Sequence, residues 1–152
     1  MFREMTKKKK QMSDKDTFDL LEKGSLGILG TISDNGYPYT VPVNYVYYNG
    51  KIYFHCAKQG HKLDNIMNNE KVSFTVVGHE TIIQEEFTTD FSSIILFGIA
   101  KVVDPSKEIL FELVKKYSMD FIPEGKEVIN QDFHTASIVE IEIVHITGKA
   151  SK

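Results

Sequence analysis

Eight consecutive residues gather the groups best able to do chemistry: His55-Cys56-Ala57-Lys58-Gln59-Gly60-His61-Lys62 holds two imidazoles, two ammonium groups and the chain's one thiol. The segment reads as a strand end, a glycine-containing loop and the first turn of a helix, an order that suits an anion. Free backbone N–H groups and the positive end of the helix dipole favour a phosphate there. Gly60 lets backbone approach closely, a lysine supplies the counter-charge, and the Cys56 thiol can add a weak hydrogen bond. Local spacing alone leaves open the plainer reading, in which Lys58, His61 and Lys62 are solvated side chains of a connecting loop.

Other constellations are weaker. His55 beside Cys56 suggests a thiol nucleophile, but neighbouring strand residues point to opposite faces and no third group is in view to orient a base, so a quiet cysteine is expected. His79, His134 and His145 are scattered and the single cysteine offers no ligand pair, so no structural metal is expected. Gly24, Gly27 and Gly30 are evenly spaced and precede a hairpin, unlike the G-x-G-x-x-G turn of a dinucleotide site. The aromatic residues Tyr37, Tyr39, Tyr45, Tyr47, Tyr48, Tyr53 and Phe54 could stack bases. A net charge of −3 and a pI near 5.9 argue against nucleic acid, leaving core and interface packing as their role.

With 152 residues, 41% of them hydrophobic, the chain suits one domain, 1–152, with one core. One cysteine permits no internal disulfide, which fits a reducing cytoplasm. The start has Lys7 to Lys10 but no apolar stretch after it, so neither a signal peptide nor a membrane span is expected. The lysine run is read as a solvated arm.

The elements that must position the loop follow from periodicity. Ser13, with Asp16 three residues on, resembles a capping box, and Phe18, Leu20 and Leu21 lead to a stop at Gly24. Leu26 to Ile32 is a strand, Ser33-Asp34-Asn35-Gly36 a turn, and Tyr39, Val41, Val43, Tyr45 and Tyr47 alternate along a second strand. Asn49-Gly50 then turns into Lys51 to His55, so three strands in a meander are expected. Leu63, Ile66 and Met67 mark a short helix after His61. Lys71 to Val77 and Ser93 to Val103 read as strands, with Thr81-Ile82-Ile83 a further candidate. Asp104-Pro105 is expected to start a helix striped by Leu110, Phe111, Val114 and Tyr117. Pro123 and Gly125 suggest a loop, at most with a helical turn, over Ser118 to Ala136, before a last strand from Ser137 to Ile146. The sum is a mainly β chain, a small antiparallel barrel, closed or nearly so, with peripheral helices.

Several ordered blocks carry a family resemblance. Gly36-Tyr37-Pro38-Tyr39-Thr40-Val41-Pro42-Val43-Asn44-Tyr45, Gly50 to Ala57 with Gly60-His61-Lys62, Phe91 to Ala100, and Ile146-Thr147-Gly148-Lys149-Ala150 resemble the nitroimidazole-resistance branch of the pyridoxamine 5'-phosphate oxidase-like FMN-binding split barrels. The resemblance implies a homodimer with FMN laid across its interface. It implies a phosphate held around His55, Cys56, Ala57, His61 and Lys62, and an isoalloxazine ring along Pro42-Val43-Asn44-Tyr45, with Ser92 and Ser93 on a strand that also reaches the flavin. Serine is commoner in the family at the position of Cys56.

By the same analogy His55 is the catalytic candidate, near the acceptor or the flavin edge. The implied activity is an oxidoreductase taking electrons from a donor such as reduced nicotinamide and reducing a small acceptor such as a nitro-aromatic compound. The alternatives are a non-catalytic flavin or haem binder and a pyridoxamine-phosphate-oxidase-like enzyme, for which no second phosphate cluster is recognised.

Overall fold

The computed structural model describes residues 1–151. Helix α1 (Asp14–Lys23) starts as its sequence requires, with the Ser13 hydroxyl accepting from the Asp16 N–H at 3.1 Å. At its other end the Gly24 N–H closes on Leu20 O, and the Tyr45 hydroxyl donates to Leu21 O at 2.6 Å. Strands β1 (Gly27–Ile32) and β2 (Pro38–Val43) form a hairpin whose turn needs the positive φ of Gly36. Strands β3 (Val46–Tyr48) and β4 (Lys51–Cys56) form another through Asn49 and Gly50, both at positive φ. Helix α2 (His61–Asn68) leads to β5 (Lys71–Ile83) and β6 (Thr88–Val103), a long hairpin, then α3 (Lys107–Tyr117), α4 (Ile122–Asp132) and β7 (Ser137–Ala150).

The strands make one antiparallel seven-stranded sheet in the order β2-β1-β5-β6-β7-β4-β3. Its two edges, β2 and β3, are consecutive in the chain, with only Asn44 and Tyr45 between them. Three Cα–Cα steps reach at most about 11 Å, whereas the edges of a flat sheet of this width would lie about 29 Å apart. The sheet must therefore curl until its edges meet. No ladder joins β2 to β3, so the result is a barrel with one open seam.

Leu29, Ile52, Phe54, Phe74, Ile94, Leu96 and Ile141 are completely buried in the main core. A second cluster, Val46, Tyr53, Leu110, Leu113, Ile129 and Ile138, packs α3 and α4 onto the outside of β3, β4 and β7. Among the described residues no helix is long and apolar enough to cross a membrane.

The nearly closed mainly β barrel, the two Asn-Gly hairpin turns and α2 agree with the sequence reading, and five details differ. The expected meander is absent, because the alternating run Tyr39 to Tyr47 breaks at Asn44-Tyr45 and its halves pair with different strands. Thr81-Ile82-Ile83 is no separate strand but the end of β5, whose partner β6 starts at Thr88. Helix α3 is capped by Ser106, whose hydroxyl accepts from the Ile109 N–H at 3.3 Å, rather than started by Asp104-Pro105. The expected loop from Ser118 to Ala136 contains α4: Pro123 sits in its first turn, where no N–H is needed, and Gly125 makes room for Val114 of α3. Strand β7 runs on to Ala150, four residues past the expected end at Ile146.

Candidate functional site

The seam is where the expected site residues on β2, β4 and the start of α2 lie. Val46 pairs with Tyr53, so continuing that register backwards would set Asn44 opposite His55 and Pro42 opposite Ala57. Instead the chain turns away to β1, where Pro42 pairs with Ile28 and Val43 with Gly27. Pro42–Asn44 and His55–Ala57 are thus the two lips of the seam. Helix α2 packs against β1 and β6, and the His61 ring at its start lies against that of Tyr39 on β2 with centroids 4.0 Å apart.

At the start of α2 the Asp64 N–H is bonded to Gly60 O at 3.1 Å, and the preceding first-turn amides of His61, Lys62 and Leu63 have no intrahelical acceptor. A Cβ placed on Gly60 would meet nothing within 4 Å, so the chain is open beside the cap residue of this helix. Lys58 is exposed and Lys62 half-buried beside it. Asp64, also in the first turn, weakens the positive potential without removing it. Free amides, two cations and open space fit a terminal phosphate.

A polar network fixes the orientation of this corner from behind. Asn65, buried on α2, donates from Nδ2 to Thr31 Oγ1 at 2.9 Å and to Ser33 Oγ at 3.3 Å, and Ser33 Oγ meets His61 Nε2 at 2.9 Å. The His61 ring is therefore held through Nε2 as well as by Tyr39, and α2 is tied to β1 by groups that satisfy one another. Cys56 turns inward against the main core; burial pushes its thiol pKa up, and Lys62 offsets that only in part. A thiol held protonated is a poor nucleophile.

His55 lies on the opposite face of β4 from Cys56, beside Tyr53 of the second cluster. Its exposed side chain borders a cavity of about 580 Å³ between α3, α4 and the end of β4, which Asn44 and Tyr117 also line. His55 is thus close to the loop in sequence but faces away from its basic groups.

Tyr45 lies beneath the seam with its polar groups engaged. Its side chain is fully buried, its N–H donates to the Tyr117 hydroxyl at 3.0 Å, and its carbonyl accepts from Lys116 Nζ at 2.9 Å. Asn44 donates from Nδ2 to Ser25 O at 2.9 Å, and the edge of Pro42 to Asn44 turned away from β1 meets no other strand. Ser92 and Ser93 lie elsewhere: Ile94 pairs with Val76, Val76 with Gly27 and Gly27 with Val43, three strand spacings or about 14 Å from the lip. Ser92 Oγ meets His79 Nδ1 at 3.0 Å.

Sequence reasoning missed Tyr117, Lys116 and the α4 wall of the cavity. The stripe containing Tyr117 was visible as a packing face, but nothing local shows that its hydroxyl serves backbone more than 70 residues away.

The family model for pyridoxamine 5'-phosphate oxidase matches residues 13–150. Among solved structures, a conserved hypothetical protein of Mycobacterium tuberculosis superposes with a TM-score of 0.82 at 18% identity, covering 98% of this chain and 90% of that one. A candidate 5-nitroimidazole antibiotic resistance protein of Bacteroides thetaiotaomicron gives 0.65 at 16% identity, with 91% and 85% covered. An FAD-binding protein of Mycobacterium smegmatis gives 0.63 at 22%, with 92% and 95% covered. No curated protein sequence matches. These likenesses identify the fold as the split barrel.

Proposed function

The chain belongs to the pyridoxamine 5'-phosphate oxidase family, and from that premise we propose that it binds FMN at the seam and works as an oxidoreductase on a small acceptor. The observation that carries the reading is the corner at the start of α2, where the first-turn amides come together with Lys58 and Lys62 and the His61 ring lies against Tyr39 of β2. Two lysines and one helix start suit a single terminal phosphate, which favours FMN over a dinucleotide flavin with its second phosphate and adenosine. Lys62 and the His61 and Lys62 amides would hold the phosphate, with the backbone around His55–Ala57 beside it. The exposed backbone of Pro42–Asn44 would meet the polar edge of the ring. When bound, FMN supplies the redox chemistry, between a donor such as reduced nicotinamide and an acceptor such as a nitro-aromatic compound. His55, turned toward the cavity, is the side chain assigned to the acceptor.

The reading includes a homodimer. Val77, Ile95, Phe97 and Val144 are exposed apolar residues on the outer face of β5, β6 and β7, a surface that a second copy would cover. Ser92 and Ser93, three strands from the lip, would then reach a flavin held across the interface.

The visible spectrum of the purified protein tests the proposal. A yellow protein that releases FMN in acid, bleaches with reduced nicotinamide and recolours with a nitro-aromatic acceptor supports it. A colourless protein that takes up no FMN, or a Soret band in place of the flavin bands, refutes it.

A further inference from the structure

The cavity between α3, α4 and β4 has an asymmetric chemistry. Leu113, Val114 and Ile129 form its apolar inner wall, while Phe121 and Val128, 61% and 57% exposed, leave apolar surface facing the open space. Its volume of about 580 Å³ lies in the range of small-molecule sites. At the β4 end the His55 ring has no hydrogen-bond partner among the described residues, whereas the Tyr117 hydroxyl and the Asn44 amide are committed to backbone. The charged groups at the α4 edge are Glu124 and Asp132, both carboxylates, and no lysine or arginine lines the space. The phosphate corner on the other side of β4 has the opposite sign.

We infer that this cavity binds an uncharged planar ring compound, its hydrogen-bonding end against His55 and its ring between Phe121 and Val128, and rejects anions. As the seat of the acceptor it rests on the flavin reading; as a binding site it does not. The carboxylate edge sets the selectivity, because an anionic ligand would lose water beside like charges with no cation to replace it. A phosphorylated substrate is therefore excluded from this cavity, while an unphosphorylated aromatic acceptor is admitted.

Equilibrium dialysis of the purified protein with 2-naphthol and with naphthalene-2-sulfonate, which share a ring system and differ in charge, tests this directly. The naphthol should be retained and the sulfonate held at least about tenfold more weakly. Val128→Trp, at an exposed position, should fill the space and weaken naphthol binding by about tenfold or more without changing FMN content. Reversing the edge with Glu124→Lys and Asp132→Lys should raise sulfonate retention, a gain that misfolding cannot mimic. Equal retention of both probes, naphthol binding indifferent to Val128→Trp, or no retention at all would overturn the inference. A colourless protein that still discriminates the two probes upholds the cavity while removing the flavin reading.

Discussion

Replacing Lys62 by alanine isolates the electrostatic part of the proposed phosphate site. Lys62 makes no ion pair among the described residues and is only half-buried, so the variant's unliganded stability should stay within about 0.5 kcal/mol of the parent. A charge-assisted contact to phosphate contributes about 1.5–3 kcal/mol, so the Kd for FMN should rise about 10- to 150-fold. Flavin fluorescence quenching reads this directly.

Thermal melting gives a second measure. FMN at 100 times the parent Kd stabilises by about 2.7 kcal/mol, or about 5–11 °C in Tm for a chain of this size. At the same FMN concentration a variant weakened 100-fold should gain only about 1 °C.

A ligand-free control comes from Cys56, whose thiol pKa Lys62 pulls down against the effect of burial. In Lys62→Ala the pH profile for reaction with a disulfide reagent should move to higher pH. An FMN Kd within about threefold of the parent, in a variant whose thiol profile has moved, would refute the phosphate assignment. An unmoved thiol profile would show that Lys62 does not face the loop.

Lys116 is half-buried under Tyr45, and burial lowers its pKa from 10.5 to about 8. Between about pH 8 and 10 the unfolded chain keeps a proton that the folded one has lost, so stability should rise with pH. Above pH 10 Tyr45 and Tyr117, whose pKa values burial raises from 10.0, oppose that rise. Melting curves across this range should show the rising limb in the parent and lose it in Lys116→Met. Gly27→Ala would drive a methyl into the Phe74 ring and should lower Tm by about 3–10 °C. Gly60→Ala has open space and should leave Tm unchanged while weakening FMN binding, because the methyl occupies the approach to the α2 amides. Tyr45→Phe keeps the core volume but strands Leu21 O at the end of α1. A loss of about 1–3 kcal/mol is expected in chemical denaturation, and no change would show that water replaces the hydroxyl.

What could be read from the sequence was local. Asn49-Gly50 and Gly36 state their turns because few residues tolerate positive φ, and Ser13, Leu63 and Ile66 show helix starts and faces through spacing alone. The seam was invisible for a physical reason. Tyr39 to Tyr47 keeps its side-chain alternation in sequence across Asn44-Tyr45, and alternation reports a strand-like period, not the identity of the neighbouring strand. Helix α4 was hidden by Pro123 and Gly125, residues that discourage a helix unless the first sits in its opening turn and the second meets another helix closely, as both do here. The strand end, glycine loop and helix start from His55 to Lys62 could be placed from local spacing, but the cavity beside His55 could not, since its walls come from α3 and α4.

The break at Asn44-Tyr45 ties the fold to the site. A barrel that closed fully would pair β2 with β3 and consume the backbone of both in a ladder. Here the deeper residue, Tyr45, has its N–H and carbonyl satisfied by Tyr117 and Lys116, so the unpaired backbone beneath the seam is not left without partners. The lip residues Pro42 to Asn44 are spared that pairing, and Pro42 and Asn44 stay exposed. A substitution at Tyr117 should therefore act on both levels. Tyr117→Phe removes the acceptor for the Tyr45 N–H and one of the donors to its carbonyl, so the seam should loosen without loss of the barrel core. Hydrogen exchange should quicken at Tyr45 and Val46 while Phe54 and Phe74 keep their protection, and FMN affinity should fall although Tyr117 lies outside the phosphate corner. Uniform loss of protection across the sheet would instead mean that α3 supports the whole barrel, and the link between seam and site would fail.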